Sequence, residues 1–190
     1  MSVESNKTLG GIGALLVGIG FLVPFLSLVG IILVFIALKG MADYYNDSGI
    51  FQNALYGLIF LIIGVIVGAV VILGAFFGIG WTAGMMPSDY SDMAALTTFI
   101  GTIVIGVVIL FVFYLLAAIF FKKSFDSLKT KTGENMFGTA GMLMLVGAIL
   151  TIVLVGLILM LIAWILAAVA FFSMKTGAPP AAPAPPPPPS

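Results

Sequence analysis

Charged residues cut the chain into four uncharged blocks, Thr8 to Leu38, Ser48 to Ser88, Met93 to Phe121 and Asn135 to Met174, separated by short polar stretches. As one helix rising about 1.5 Å per residue, the last block would be a rod of roughly 60 Å. That is twice the hydrocarbon thickness of a bilayer, about 30 Å. A straight rod would leave much of its apolar surface in water, so the pattern predicts a hairpin folded back within the lipid. The first block carries Pro24 at its centre, where proline removes a backbone donor and clashes with the preceding turn. Two short helices, about Gly10 to Leu22 and Phe25 to Gly40, are expected there. The second and third blocks predict single tilted crossings, about Ala54 to Phe77 and Ala94 to Phe121. The expected fold is an all-α, polytopic integral membrane bundle: two central transmembrane helices flanked by N- and C-terminal short-helix hairpins, with four to six membrane segments in one domain over 1–175.

The two ends also resemble each other. Gly30-Ile-Ile-Leu-Val-Phe-Ile-Ala37 reads against Gly156-Leu-Ile-Leu-Met-Leu-Ile-Ala163, and Leu16-Val17-Gly18 echoes Leu145-Val146-Gly147. An internal repeat and chance in low-complexity apolar sequence both account for these matches.

Composition agrees with the pattern: 62% of residues are apolar, 7% are charged and the mean hydropathy is +1.31. Seven cations, all lysine, balance seven acids, and histidine and cysteine are absent. No basic patch exists to hold nucleic acid phosphates. Thiolate chemistry and the commonest metal ligands are missing, so no cofactor is expected. The apolar run after Met1 to Thr8 is longer than a signal-peptide core, and the segment is expected to be retained.

Lysine placement chooses between topologies, because cytoplasmic flanks collect Lys while translocated loops avoid it. With a hairpin at each end, Lys7, Lys39, Lys122, Lys123, Lys129, Lys131 and Lys175 all share one face. The opposite loop, Gly78 to Ala95, then carries Asp89 and Asp92 without a cation. Both termini and the Lys39–Gly49 and Lys122–Glu134 segments are expected in the cytoplasm. Tyr44, Tyr45, Phe120, Phe121, Phe171 and Phe172 would sit at the inner interface, with Trp81 and Tyr90 at the outer. Against this orientation, Asn6-Lys-Thr8 and Asn46-Asp-Ser48 both fit the glycosylation pattern, which has use only outside.

Small residues recur at four-residue spacing in Gly10, Ala14, Gly18, in Gly64, Gly68, in Gly74, Gly78 and in Ala163, Ala167. Such stripes let helices approach closely in lipid. They serve contacts within one chain or between copies in a homo-oligomer. No Asp, Glu or Lys lies inside an expected span, which disfavours ion-coupled transport. The polar groups at depth are Ser27, Tyr56, Thr98, Thr102, Tyr114, Thr151 and Trp164. Of these, Ser27, Thr98, Thr102 and Thr151 are the candidates to line a pathway near the breaks at Val23-Pro24 and Thr151-Ile152. The segments Lys39 to Tyr45 and Lys122 to Lys129 mix lysines with aromatic and aliphatic residues. They read as interfacial helix extensions, against membrane lipid as partner. After Met174 the composition changes: eight of the ten prolines lie in the tail 176–190. The tail is expected to be extended and unpacked, as a spacer or as a ligand for the groove of a soluble partner.

Lys7-Thr-Leu-Gly-Gly-Ile-Gly-Ala14, Phe35-Ile-Ala-Leu-Lys-Gly-Met-Ala-Asp-Tyr-Tyr45, Ile50-Phe-Gln-Asn-Ala-Leu-Tyr-Gly57 and Ile162-Ala-Trp-Ile-Leu-Ala-Ala-Val-Ala-Phe-Phe-Ser173 resemble an archaeal membrane-protein family, domain of unknown function 996. The resemblance covers nearly everything before the proline tail. It implies a plasma-membrane protein and carries over no site residue. The residues themselves favour a structural or membrane-organising component. A channel or facilitator for a small neutral or weakly polar solute is the alternative, and an enzyme is not expected.

Overall fold

The computed structural model describes residues 2–20, 23–79, 93–151 and 155–175. They form six α-helices: α1 Val3–Ile19, α2 Pro24–Tyr45, α3 Ser48–Gly74, α4 Met93–Thr132, α5 Asn135–Leu150 and α6 Val155–Ser173. A π-helical turn, Ala75–Ile79, extends α3. The described residues contain no strand. Each terminal block is a helical hairpin, as the lengths required, and four helices are long and apolar enough to cross a membrane: α2, α3 with its π extension, α4 and α6. The helices of the first block are longer than the expected Gly10–Leu22 and Phe25–Gly40, because the polar flanks continue the helix. Leu22 itself lies outside the described residues.

Local chemistry fixes the helix ends. Ser2 caps α1 by accepting from the Ser5 N–H at 3.2 Å, and Pro24 stands in the first turn of α2, where no amide donor is needed. The two turns α2–α3 and α4–α5 use the same device. A left-handed residue ends the first helix, Asn46 with φ 49° or Gly133 with φ 73°, and an acid caps the next. Asp47 accepts from the Gly49 N–H at 2.9 Å, and Glu134 from the Met136 N–H at 3.3 Å. The segments after Lys39 and Lys122, expected as interfacial helix extensions, are almost wholly helical, with tight turns at their ends.

Each helix packs on the next, and α6 returns to α1, so three antiparallel hairpins close a ring. All the helix ends that carry lysine meet at one end of it. Asn6 of α1 packs on Gly40 of α2. Lys39 lies 5.5 Å over the Phe51 ring of α3, and Lys131 pairs with Asp47 at 3.7 Å. Lys122 and Lys129 of α4 pack on Gly141 and Gly138 of α5. Lys175 follows the end of α6. All seven lysines thus share one end. Phe125, Phe137 and Phe171, all fully buried, fill the core just beneath them.

Backbone contact is closest within the terminal hairpins. Gly13 meets Gly30 and Gly147 meets Gly156, each placing backbone atoms where a Cβ would stand. The matched Gly30 and Gly156 thus hold equivalent positions, each against a glycine of the preceding arm, and Ala37 and Ala163 are both buried. The second echo is not equivalent: Gly147 is at its crossing, whereas Gly18 faces Trp164 at 3.7 Å.

The three hairpins differ in height. The α5–α6 tip lies at Thr151, which caps the end of α5. From the level at which Phe171 meets both Gly10 and Phe137, the rise along α5 to Thr151 is about 21 Å. In the α1–α2 hairpin, from Gly10 at that same level to the contact of Gly20 with Ser27, it is about 15 Å. The central pair continues well past both tips, by about 30 Å along α4 from Tyr114 to Met93. Here α3 and α4 touch only each other among the described residues, as in the Phe76–Phe99 contact with centroids 5.1 Å apart. Val70, Phe77, Ile105 and Val108 are exposed around them.

Candidate functional site

Inside the ring lies a cavity of about 240 Å³, to which all six helices contribute. Its floor is aromatic. Phe121 packs edge-on against Phe35 with centroids 6.3 Å apart and against Trp164 at 6.4 Å. Ala117 and Ala118 of α4 leave the space open, because longer side chains there would fill it, and Met144 and Met160 close the far wall. At its upper end the lining reaches Gly20 and Ser27, the tip of the α1–α2 hairpin. Among the described residues the polar side chains on the wall are Ser27, Tyr114 and Trp164.

The four hydroxyl residues singled out from sequence are not gathered at one place. Ser27 lines the cavity. Thr151 stands at the α5–α6 tip, where its hydroxyl donates to the Gly147 carbonyl at 2.8 Å. Thr98 is exposed on the part of α4 beyond the tips, and the Thr102 hydroxyl donates to the Thr98 carbonyl at 2.8 Å. Such back-bonding to the preceding turn satisfies a hydroxyl without any pathway. Tyr114 and Trp164 have a better claim on the cavity than Thr98 or Thr102. Their signal was present in the sequence as amphipathic aromatics at depth, but only the helix register shows which way they face.

The small-residue stripes divide in the same way. Gly10 abuts Phe171, Gly64 abuts Phe113 and Gly68 abuts Leu110. Ala14, Ala163 and Ala167 are fully buried. Gly74 and Gly78 face open space, with nothing within 4 Å of a Cβ built there. They belong to the projecting part of the central hairpin, where no third helix among the described residues is present to be approached.

The glycosylation pattern at Asn6 is closed off, since its side chain is 1% exposed against Gly40. Asn46 is exposed, and it serves as the left-handed end of α2. Trp81, Tyr90, Asp89, Asp92 and the proline tail lie outside the described residues.

A ring of apolar helices with its lysines at one end and, among the described residues, no charged side chain on the cavity wall is a membrane-embedded helical bundle. Comparison with known sequences gives the family. The chain belongs to the family of proteins of unknown function DUF996, whose model matches residues 26–165. An uncharacterized protein of the archaeon Methanocaldococcus jannaschii is 31% identical over 175 residues, covering 92% of this chain and 94% of the relative. No solved structure matches the chain.

Proposed function

We propose that this protein is a non-enzymatic, membrane-organising component of the plasma membrane, acting as a wedge between the two leaflets with its lysine end and both termini in the cytoplasm. One observation carries the reading: the terminal hairpins end about 20 to 30 Å from the lysine end, whereas α3 and α4 run on about 30 Å beyond them, a further hydrocarbon thickness. The leaflet on the lysine side then holds six helices, and much of the opposite leaflet holds two. With about 10 Å per helix diameter, these occupy roughly 500 Å² and 170 Å² respectively. Such a difference expands one leaflet and favours curvature convex on the lysine side. The proline tail would present a soluble partner with an extended ligand at that same surface.

Reconstitution into vesicles at rising protein-to-lipid ratio tests the proposal, with vesicle diameter read by electron cryomicroscopy and solute entry by light scattering. Diameters that fall as protein is added support the wedge. Flux of a small neutral solute at unchanged diameter would overturn it in favour of a facilitator.

A further inference from the structure

The cavity has a size, a depth and a wall chemistry that no role in shaping the bilayer explains. Its wall is built almost wholly from Val17, Ile31, Val34, Leu58, Met160 and similar side chains, with aromatic rings at the floor. Water would find few partners there. A buried water needs two to four polar groups, and among the described residues the polar side chains on the wall are Ser27, Tyr114 and Trp164, on three different helices. An empty space of this size would forfeit the dispersion contacts of everything that lines it. The cavity does not end inside the protein: its lining continues to Gly20 and Ser27 at the α1–α2 tip. On the depth argued above, that tip lies within hydrocarbon, below lipids of the far leaflet whose chain ends point toward it.

We infer that the ring binds the terminal segment of one hydrocarbon chain of a far-leaflet lipid, inserted past Ser27 and seated on Phe35, Phe121 and Trp164. A methylene fills nearly the same volume as a water molecule, about 30 Å³, so the 240 Å³ cavity accepts a segment of about eight carbons. The inference shares with the wedge only the depth of the tip, and it stands or falls separately from any effect on vesicle shape.

Trp164 on the cavity wall is the reporter. The chain has two tryptophans, so Trp81→Phe leaves Trp164 alone. The full-length variant is placed in nanodiscs of phosphatidylcholine brominated near the chain ends, and its emission is compared with that in the unbrominated lipid. The expected result is about a twofold loss of Trp164 emission, with most of the loss abolished when Ala118→Leu or Ser27→Leu is added to fill the floor or the mouth. Ser27→Leu sits at the rim and guards against a fold failure of Ala118→Leu, with helicity by circular dichroism checking both. Quenching that is absent, or equal in the filled and unfilled proteins, overturns the inference. So does quenching of Trp164 by aqueous acrylamide, which would show a wet cavity. Vesicles that keep their shape while Trp164 is quenched through the cavity would refute the wedge alone.

Discussion

Gly30→Ala is the sharpest test of how this bundle is held together. A Cβ on Gly30 would stand 2.7 Å from both the Gly13 carbonyl oxygen and the Val17 amide nitrogen, and 2.9 Å from Val17 Cγ2. Two of these three atoms are backbone, so no rotamer change relieves them. Restoring ordinary contact requires α1 and α2 to part by roughly 0.7 Å at their crossing, and a gap of that size forfeits a quarter to a half of each dispersion well. With about 30 atom pairs at about 0.15 kcal/mol each, the loss is about 1–2 kcal/mol, within the range for overpacked cores. Nothing offsets it, because lipid tails solvate the separated helices as well as they solvate the packed ones. The companion Gly101→Ala, where nothing lies within 4 Å of the new Cβ, is expected to stay within about 0.5 kcal/mol of the parent. Reversible unfolding in mixed micelles with increasing dodecyl sulfate, followed by tryptophan emission, measures both. Equal stability of Gly30→Ala and the parent would refute the backbone-contact account, and so would an equal loss at Gly101.

Two further outcomes follow from the lysine end. Ser124 is fully buried, and its hydroxyl donates to the Ile50 carbonyl across the α3–α4 interface at 2.6 Å. Ser124→Ala should cost about 1 kcal/mol in the same unfolding assay. A cost near zero would mean that this bond does not fix the register of α4 on α3. Labelling intact, oriented vesicles with a membrane-impermeant amine reagent should modify lysines from one side only, with Lys7 and Lys123 reacting in the same population. Protection of either one while the other reacts would break the one-faced topology.

Much of this architecture was legible from lengths and charge alone. A forty-residue apolar block has to turn back, Pro24 marks where the first block does so, and seven lysines at one end follow once both terminal blocks are hairpins. Gly64 and Gly68 lie against Phe113 and Leu110 of α4. What could not be read is the relative height of the helices. Gly74, Gly78, Thr98 and Thr102 satisfy the same spacing and polarity rules as residues in the ring, yet they sit on the part of the central hairpin that rises past its neighbours. Their role depends on the level at which α5 leaves α4, which the contact of Gly141 with Lys122 sets. Nothing local to residues 74–102 encodes it. The tightest crossings, Gly13 on Gly30 and Gly147 on Gly156, escaped the stripe rule because each helix offers a single glycine there rather than a spaced pair.

The difference in height also connects the shape to the interior. If all three hairpins crossed fully, a closed ring would present polar turns to water at both ends, and a cavity at its centre would read as part of an aqueous path. On the proposed depth the two terminal hairpins stop within the hydrocarbon, so the cavity opens onto lipid and Ser27 at its rim faces a medium with no water to offer it. The central pair then plays a separate part, since it alone reaches the far surface, and its exposed valines and isoleucines are matched to the chains that fill the space over the tips. A deletion shortening α3 and α4 to the height of the other hairpins would leave the ring, its lysines and its cavity intact while removing the far-side anchor. On this physical reading such a protein should still fold, and should be held by one leaflet only.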